Sequence, residues 1–553
     1  MDRTDRTDTR LGDLLLRDAP LYRDGRWDGD CLVVRDGLIA GLGSHDDVAH
    51  LVGPDTRVES LVGRWLLPAF HDAHVHPVQA GTEMNLCNLT DLGTIEQYVE
   101  RIASYVAAHP DRPWVTGGGW SMDSFPGGVP TADLLDRACP DRPAFLPNRD
   151  HHSAWVNTRA LELAGIDEHT PDPADGRIER GPDGRPTGAL HEGAMDLVAA
   201  HAPKATQEEL MAGLMTAQQH LHSIGIVGWQ DALVGAGLGM LDTLDTYLDA
   251  HRSGRLTAKV VLALWWDRER GLEQVPELVE KRRRAAEVGV RATSVKIMQD
   301  GVCETHTAAM LDPYLDAHGH TTDNRGLSFI AADDLEVYVA ALDAEDFQVH
   351  VHALGDRAVR DSLAAVEHAR TVNGPRGNRH HFAHLQVIDP ADVARFAALD
   401  VTANAQPLWA CRDQAVEELT LPFVSETARQ QQYVFGSLLR AGARLACGSD
   451  WPVSEAEPLH GMHVAVNRRA PDMGPDDEPL LPDEALTVVE ALAGYTTGST
   501  YLNGLEDVSG RLEVGYAADL VAVDADVLGG DPMALAQTRV THTWADGSPV
   551  FEA

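Results

Sequence analysis

The stretch LLPAFHDAHVH (66–76) decides how the rest of the chain is read, because it is a short apolar run that ends in two histidines, His74 and His76. Seven further runs of the same kind follow: GIVGWQDA (225–232), KVVLALWW (259–266), TSVKIMQDG (293–301), FQVHVHALGD (347–356), HHFAHLQ (380–386), VTANAQP (401–407) and RLACGSDWP (444–452). Segments of helical periodicity separate them, the pattern of repeated β-α units around a parallel sheet. Eight units predict an α/β fold, a TIM-type (β/α)8 barrel whose reactive groups sit at the C-terminal ends of the strands.

The spacing is uneven once. Roughly 140 residues part the first run from the second, too many for one crossover, so 77–215 are expected to form an inserted lid subdomain over the barrel mouth. Thr94 with Gln97 makes a capping box there, and Ile95, Tyr98, Val99, Ile102, Tyr105 and Val106 follow at helical spacing. Outside the barrel, CLVVRDGLIAGLG near one end and VTHTWADGSPVFE near the other each carry an Asp-Gly turn between apolar runs, a strong hairpin signal. Residues 1–65 and 509–553 are therefore expected to share one small β-sandwich domain, with the barrel spanning 66–508.

The chain has 553 residues, of which 45 are Lys or Arg and 85 are Asp or Glu, a formal charge of −40. Nucleic acid or an anionic membrane would be repelled over most of such a surface. Six scattered cysteines form no CxxC pair, and a reducing cytosol fits them best. The charged N-terminus, MDRTDRTDTRLGDLL, lacks the apolar core of a signal peptide, and the run Val260 to Trp266 is too short to span a bilayer. A soluble, cytoplasmic protein is expected, whose partners are a small-molecule substrate and at most a second copy of the chain as a homodimer.

The 26 histidines would give about one His-x-His pair by chance, and the chain has four, at 74/76, 220/222, 318/320 and 350/352. Position separates them. His74, His76, His352, His384 and Asp450 each fall at the C-terminal end of a strand run, in units one, five, six and eight. Imidazoles and a carboxylate converging on one rim are what a divalent metal of borderline softness requires, zinc foremost. Lys296 adds a second signal. Only four lysines occur in the chain (Lys204, Lys259, Lys281, Lys296), and this one alternates with Val295 and Ile297 in a strand. Burial lowers an amine's pKa, and a neutral amine reacts with carbon dioxide to form a carbamate that can bridge two metals; arginine has no such chemistry.

PAFHDAHVHP (68–77), HALGD (352–356), FAHLQ (382–386) and GSDWP (448–452) resemble the amidohydrolase superfamily. WVTGGGW (114–120), HSAWVNTRALELAGI (152–166), GIVGWQDA (225–232) and LEVGYAADLVAVD (512–524) are similar to its amidohydrolase-3, YtcJ-like branch. The resemblance implies that His74 and His76 bind the more buried metal, that Lys296 bridges as a carbamate, and that His352 and His384 bind a second metal. It also implies that Asp450 touches the first metal and relays a proton. The usual Glu-His of the sixth strand reads Ala383-His384 here. Some relatives bridge with a glutamate or a cysteine, for which Glu192 and Cys303 would stand in.

The expected reaction is hydrolysis of a C–N bond in an amide, N-formyl or cyclic amide substrate by a metal-activated hydroxide, with one or two divalent metals per chain and carbon dioxide for lysine carboxylation. Asp450 and Lys296 are the expected catalytic residues. Trp120, His152, Trp229, Asp231, Arg357, Gln406 and Trp409 are candidate substrate contacts. A metal-dependent heterocycle deaminase, or a barrel that binds a small ligand without catalysis, are the alternative readings.

Overall fold

In the computed structural model, which describes residues 12–90, 92–149, 151–173, 176–237 and 240–553, the eight runs become one parallel sheet. Its strands are β1 (Phe70–Val75), β2 (Ile226–Val234), β3 (Lys259–Trp265), β4 (Arg291–Met298), β5 (Gln348–Ala353), β6 (His381–His384), β7 (Thr402–Ala405) and β8 (Leu445–Cys447). Each pairs with the next in chain order, and the sheet curls into a nearly closed barrel of the expected α/β class. No ladder joins β8 to β1. At the C-terminal end of β1 the chain that follows β8 closes the gap, Asp450 N donating to His74 O at 2.7 Å and His76 N to Trp451 O at 2.9 Å. The join is tight enough to require a glycine, since a Cβ on Gly448 would lie 2.5 Å from His74 N.

Strand alternation sorts the side chains. On β5, Val349, Val351 and Ala353 join the apolar layer under the helices, leaving Gln348, His350 and His352 on the opposite face. On β4, Val295 and Ile297 do the same, leaving Lys296 and Met298 on the other. The ladders pair Met298 with His352 and Ala353 with His384, so the ends of β4, β5 and β6 stand level at one rim.

Between β1 and β2 the chain builds a second sheet of six strands, in the order Gly176–Arg180, Pro186–Glu192, Ser153–Val156, Ala144–Pro147, Val115–Gly118 and Cys87–Asn88. It has cores of its own, one around Tyr98, Trp120 and Trp155 and one around Ala160, Ile178 and Leu190. The capping box opens helix Ile95–Ala108, with Thr94 Oγ1 accepting from Gln97 N at 3.3 Å and Gln97 Oε1 from Thr94 N at 3.1 Å.

Two four-stranded sheets come from the ends of the chain, and Leu14, Leu16, Leu32, Leu66, Leu520, Ala522 and Trp544 fill one core between them. Val521 and Val523, alternate residues of strand Leu520–Val523, belong instead to the barrel's apolar layer, which explains a run buried on both faces. Both Asp-Gly turns are left-handed at each residue, Asp36 and Gly37 at φ 51° and 77°, Asp546 and Gly547 at 46° and 70°, as a type I′ hairpin requires. Among the described residues no helix is long and apolar enough to cross a membrane. The charged N-terminal stretch lies outside the described residues up to Leu11.

Candidate metal centre

His74 Nε2 and His76 Nε2 lie 3.1 and 3.0 Å from the same atom, Asp450 Oδ1. These three are the only cluster of His, Cys and carboxylate groups close enough to share one ion among the described residues. Around them stand Lys296, whose Nζ is 3.5 Å from His74 Nε2, and His384, whose Nδ1 is 3.9 Å from Asp450 Oδ2. The His384 ring centre lies 4.8 Å from that of His74 and 4.5 Å from that of His352. All six residues line one cavity at the barrel rim, so the structure brings together the whole set expected to bind metal.

The main chain is bent to achieve this. Asp450 and His384 adopt φ 59° and 77°, and Leu385 follows at 53°, conformations that cost a side-chain-bearing residue energy and persist where neighbours dictate them. Gln406 Oε1 accepts from His384 N at 2.7 Å, and Leu385 N donates to Ala353 O at 3.0 Å. Trp409 stacks on the His384 ring, 5.3 Å between centres and 8° from parallel.

Burial governs the charges. It drives His74 down to about 3, helped by the nearby Lys296, so that imidazole is a neutral donor with a lone pair to offer a cation. His384 and His350 are pushed well below 6.5 by the same burial, and His352 is lowered too. Burial brings Lys296 to about 7, against the pull of Asp450. For Asp450 itself burial acts upward, but the rings of His74 and His76 bonded to it outweigh that and hold it ionised.

Each ligand has a supporting group. Asp300, fully buried, lies 3.2 Å from His352 Nδ1 while accepting from the main-chain N–H of Ala309, Leu354 and Gly355. A carboxylate so anchored fixes a histidine's orientation and tautomer. Asp72 accepts from His74 N and from Ser449 N, tying β1 to the turn after β8, and burial raises it to about 7. The sequence reading assigned neither residue a role. Asp300 was legible as a member of the Lys296 face of SVKIMQD, but the three main-chain donors that hold it come from loops.

The residues present fit a divalent cation. Imidazole nitrogens converge on a carboxylate, and two buried ring nitrogens of the cluster, His76 Nδ1 and His384 Nδ1, have no hydrogen-bond partner.

Of the seven candidate substrate contacts, only His152 lines the cavity, its Nδ1 2.9 Å from Glu192 Oε1. Trp120 is buried in the core of the inserted sheet and donates its indole N–H to Leu146 O. Trp229 and Asp231, two apart on β2, both face helix Leu244–Arg252, where Tyr247 Oη lies 3.4 Å from the Trp229 indole nitrogen and donates to Asp231 at 2.7 Å. A side chain on a barrel strand thus reaches the cavity only if it points inward. Arg357 is exposed on the first turn of helix Asp356–Asn373, outside the cavity lining. Gln406 and Trp409 support His384 instead of reaching the open space. Cys303 is fully buried among Ala308, Met310 and Tyr314, with burial holding its thiol far above the usual range. Glu192 is occupied by His152. The apolar cavity wall, Leu233, Met240, Trp265, Met298 and Val453, escaped the sequence reading because an aliphatic strand end gives no chemical signal.

A family model described as "Amidohydrolase family" matches residues 57–551. Protein LONG AFTER FAR-RED 3 of Arabidopsis thaliana is 29% identical over 90% of this chain and 84% of its own length. The YtcJ protein of Bacillus subtilis is 27% identical over 95% and 96%. N-substituted formamide deformylase of Arthrobacter pascens is 25% identical over 98% and 99%. Among solved structures, a metal-dependent hydrolase of Pyrococcus furiosus superposes with a TM-score of 0.69 at 24% identity, covering 93% of this chain and 99% of the other.

Proposed function

This chain belongs to the amidohydrolase family, and we propose that it is a metal-dependent hydrolase that splits a C–N bond of a small amide, releasing a carboxylic acid and an amine. The observation that carries this reading is the convergence of His74, His76 and Asp450 on one point of the barrel rim, ringed by Lys296, His352 and His384. His74, His76 and Asp450 would hold one cation and His352 and His384 a second. Lys296 would bridge them after its neutral amine has formed an N–C bond to carbon dioxide and released one proton. A cation bound there supplies Lewis acidity, lowering the pKa of a water and polarising the amide carbonyl.

The chain's own groups do the rest. Asp450, held ionised, takes a proton from the attacking water and returns one to the leaving nitrogen. His152, 2.9 Å from Glu192, lines the cavity and would hydrogen-bond the substrate. Leu233, Met240, Trp265, Met298 and Val453 make the remaining wall apolar, and no arginine lines the cavity among the described residues. These features favour an uncharged amide with an apolar substituent over a substrate that carries a free carboxylate. The deformylase relative, whose name specifies N-substituted formamides, is consistent with that preference.

The test is a metal-content measurement joined to a screen of N-formyl amines, N-acyl amino acids and cyclic amides, followed by amine release. We expect about two metals per chain, turnover of neutral amides, and a loss of ~10²–10⁴-fold in kcat for Asp450→Asn with metal retained. An active Asn variant removes the role given to Asp450, and a single metal with ammonia released from a heterocycle replaces amide hydrolysis by deamination.

A further inference from the structure

The interior of the barrel below the metal centre holds a chain of polar side chains that the reaction does not use. His350 Nε2 lies 2.9 Å from His74 Nδ1, and His350 Nδ1 lies 2.8 Å from Gln230 Oε1. Gln230 Nε2 donates to Gln348 Oε1 and Asn503 Oδ1, each at 3.1 Å. Gln348 Nε2 donates to the main-chain oxygens of Arg379 and Leu502, both at 2.9 Å. His74, Gln230, His350 and Asn503 are all at most 3% exposed.

Every proton in this chain can be placed from its far end. The main-chain oxygens of Arg379 and Leu502 accept only, so the Gln348 amide must present nitrogen to them and oxygen to Gln230. Gln230 must then give its nitrogen to that oxygen and to Asn503 Oδ1, leaving its own oxygen toward His350. His350 therefore carries its proton on Nδ1. With a cation on His74 Nε2, the one proton of that ring sits on Nδ1, and it is donated to His350 Nε2, the nitrogen left to accept it. Turning Gln348 over would set its oxygen against two main-chain carbonyls, and turning Gln230 over would set its oxygen against Gln348 Oε1, so the network admits one direction.

We propose that His350 is a positioning residue that fixes the tautomer of His74, under orders relayed through Gln230 and Gln348 from main-chain carbonyls. A metal-bound histidine usually passes its second N–H to a carboxylate, a carbonyl or a water. Here the acceptor is a second neutral imidazole, which adds no negative charge beneath the centre and makes the ligand's state depend on glutamines that touch no ligand. This inference rests on the reading of His74 as a metal ligand.

The experiment uses Zn²⁺ alone as probe, with affinity measured by chelator competition on the full-length protein, and Co²⁺ absorption as a signature of the coordination sphere. His350→Leu removes the acceptor, and we expect Zn²⁺ affinity to fall ~10–100-fold. His350→Gln restores an amide oxygen to the same place, and affinity should return to within a few-fold of wild type along with the Co²⁺ spectrum. A leucine variant that binds as wild type does, or a folded glutamine variant as weak as the leucine one, overturns the proposal. If His350→Leu does not fold, Gln230→Leu decides: loosened His350 should weaken Zn²⁺ several-fold, and unchanged affinity overturns it. Failure of the wild-type protein to bind Zn²⁺ would instead overturn the metal-site reading itself.

Discussion

Lys259, at the start of β3, clamps the barrel to the small domain, and its removal can be worked through from the contacts it makes. Its Nζ lies 2.9 Å from Asp519 Oδ1 and 2.8 Å from Asp546 Oδ1, with Asp519 1% exposed and Asp546 59% exposed. The two arms should differ greatly in worth. An exposed pair contributes about 0–1 kcal/mol, whereas taking one partner from a buried pair costs about 3–5 kcal/mol because a charge is left without compensation. Asp519 keeps two donors, Asp546 N and the Ser509 hydroxyl, which trims the loss for Lys259→Met to about 3 kcal/mol. Asp546→Asn should cost less than about 1 kcal/mol. In a double-mutant cycle with Asp519→Asn the coupling should reach about 2 kcal/mol. The assay is urea unfolding of the five proteins, wild type, the three single variants and the Lys259/Asp519 double variant, followed by a probe in the small domain, such as Trp544 fluorescence. Burial acts to lower the Lys259 pKa, but Asp519 and Asp546 outweigh it and raise it above 10.5. A folded pKa above the unfolded one means that the stabilisation is complete below about pH 10 and is lost as pH rises through the folded value, so wild type and Lys259→Met should converge in strong alkali. If Asp546→Asn costs as much as Lys259→Met, or the gap between wild type and Lys259→Met does not close in alkali, the buried arm is not what holds the joint.

Other outcomes follow from neighbouring features. Arg468, 1% exposed, donates to the main-chain oxygens of Gln432, Tyr433 and Leu480, so Arg468→Met should strand three carbonyls and cost about 3 kcal/mol or more, read as a lowered unfolding midpoint. Asp300→Ala should release His352 and lower metal content at limiting Zn²⁺, with affinity down by ~10–100-fold. Lys296→Arg should abolish turnover, and metal-free wild type reloaded with Zn²⁺ should regain more activity with bicarbonate present than without; equal recovery would argue against a carbamate. Trp409→Ala removes the ring stacked on His384 and should loosen metal binding by a few-fold, measured by chelator competition.

The eight strands were legible because each run is short, apolar and followed by a helical period, and their order in the sheet is their order in the chain. His74, His76, Lys296, His352, His384 and Asp450 were legible because metal chemistry uses few residue types and the barrel confines them to strand ends. The aromatic candidates failed for a reason of geometry. Trp229 lies in the middle of β2 and its side chain points outward to Tyr247, and the register shifts within β2 hide that from a simple two-residue alternation. His350 was visible as half of the pair 350/352, but its worth lies in glutamines from β2 and β5 that carry no signal of their own. Gln406 and Trp409, expected as substrate contacts, stand beside His384, one accepting from its main-chain N–H and the other stacked on its ring.

The join between β1 and β8 has a bearing on how the protein matures. His76 and Asp450, separated by 374 residues, meet across it. A chain emerging N-terminus first displays two histidines long before their carboxylate exists, and no intermediate lacking either end of the ring can present the finished site. A contact of that sequence separation carries a large loop-closure cost, which local β-α contacts do not. On the proposed reading, cation capture would wait on ring closure, and a bound ion would act as a rivet across the join where β8 and β1 share no ladder.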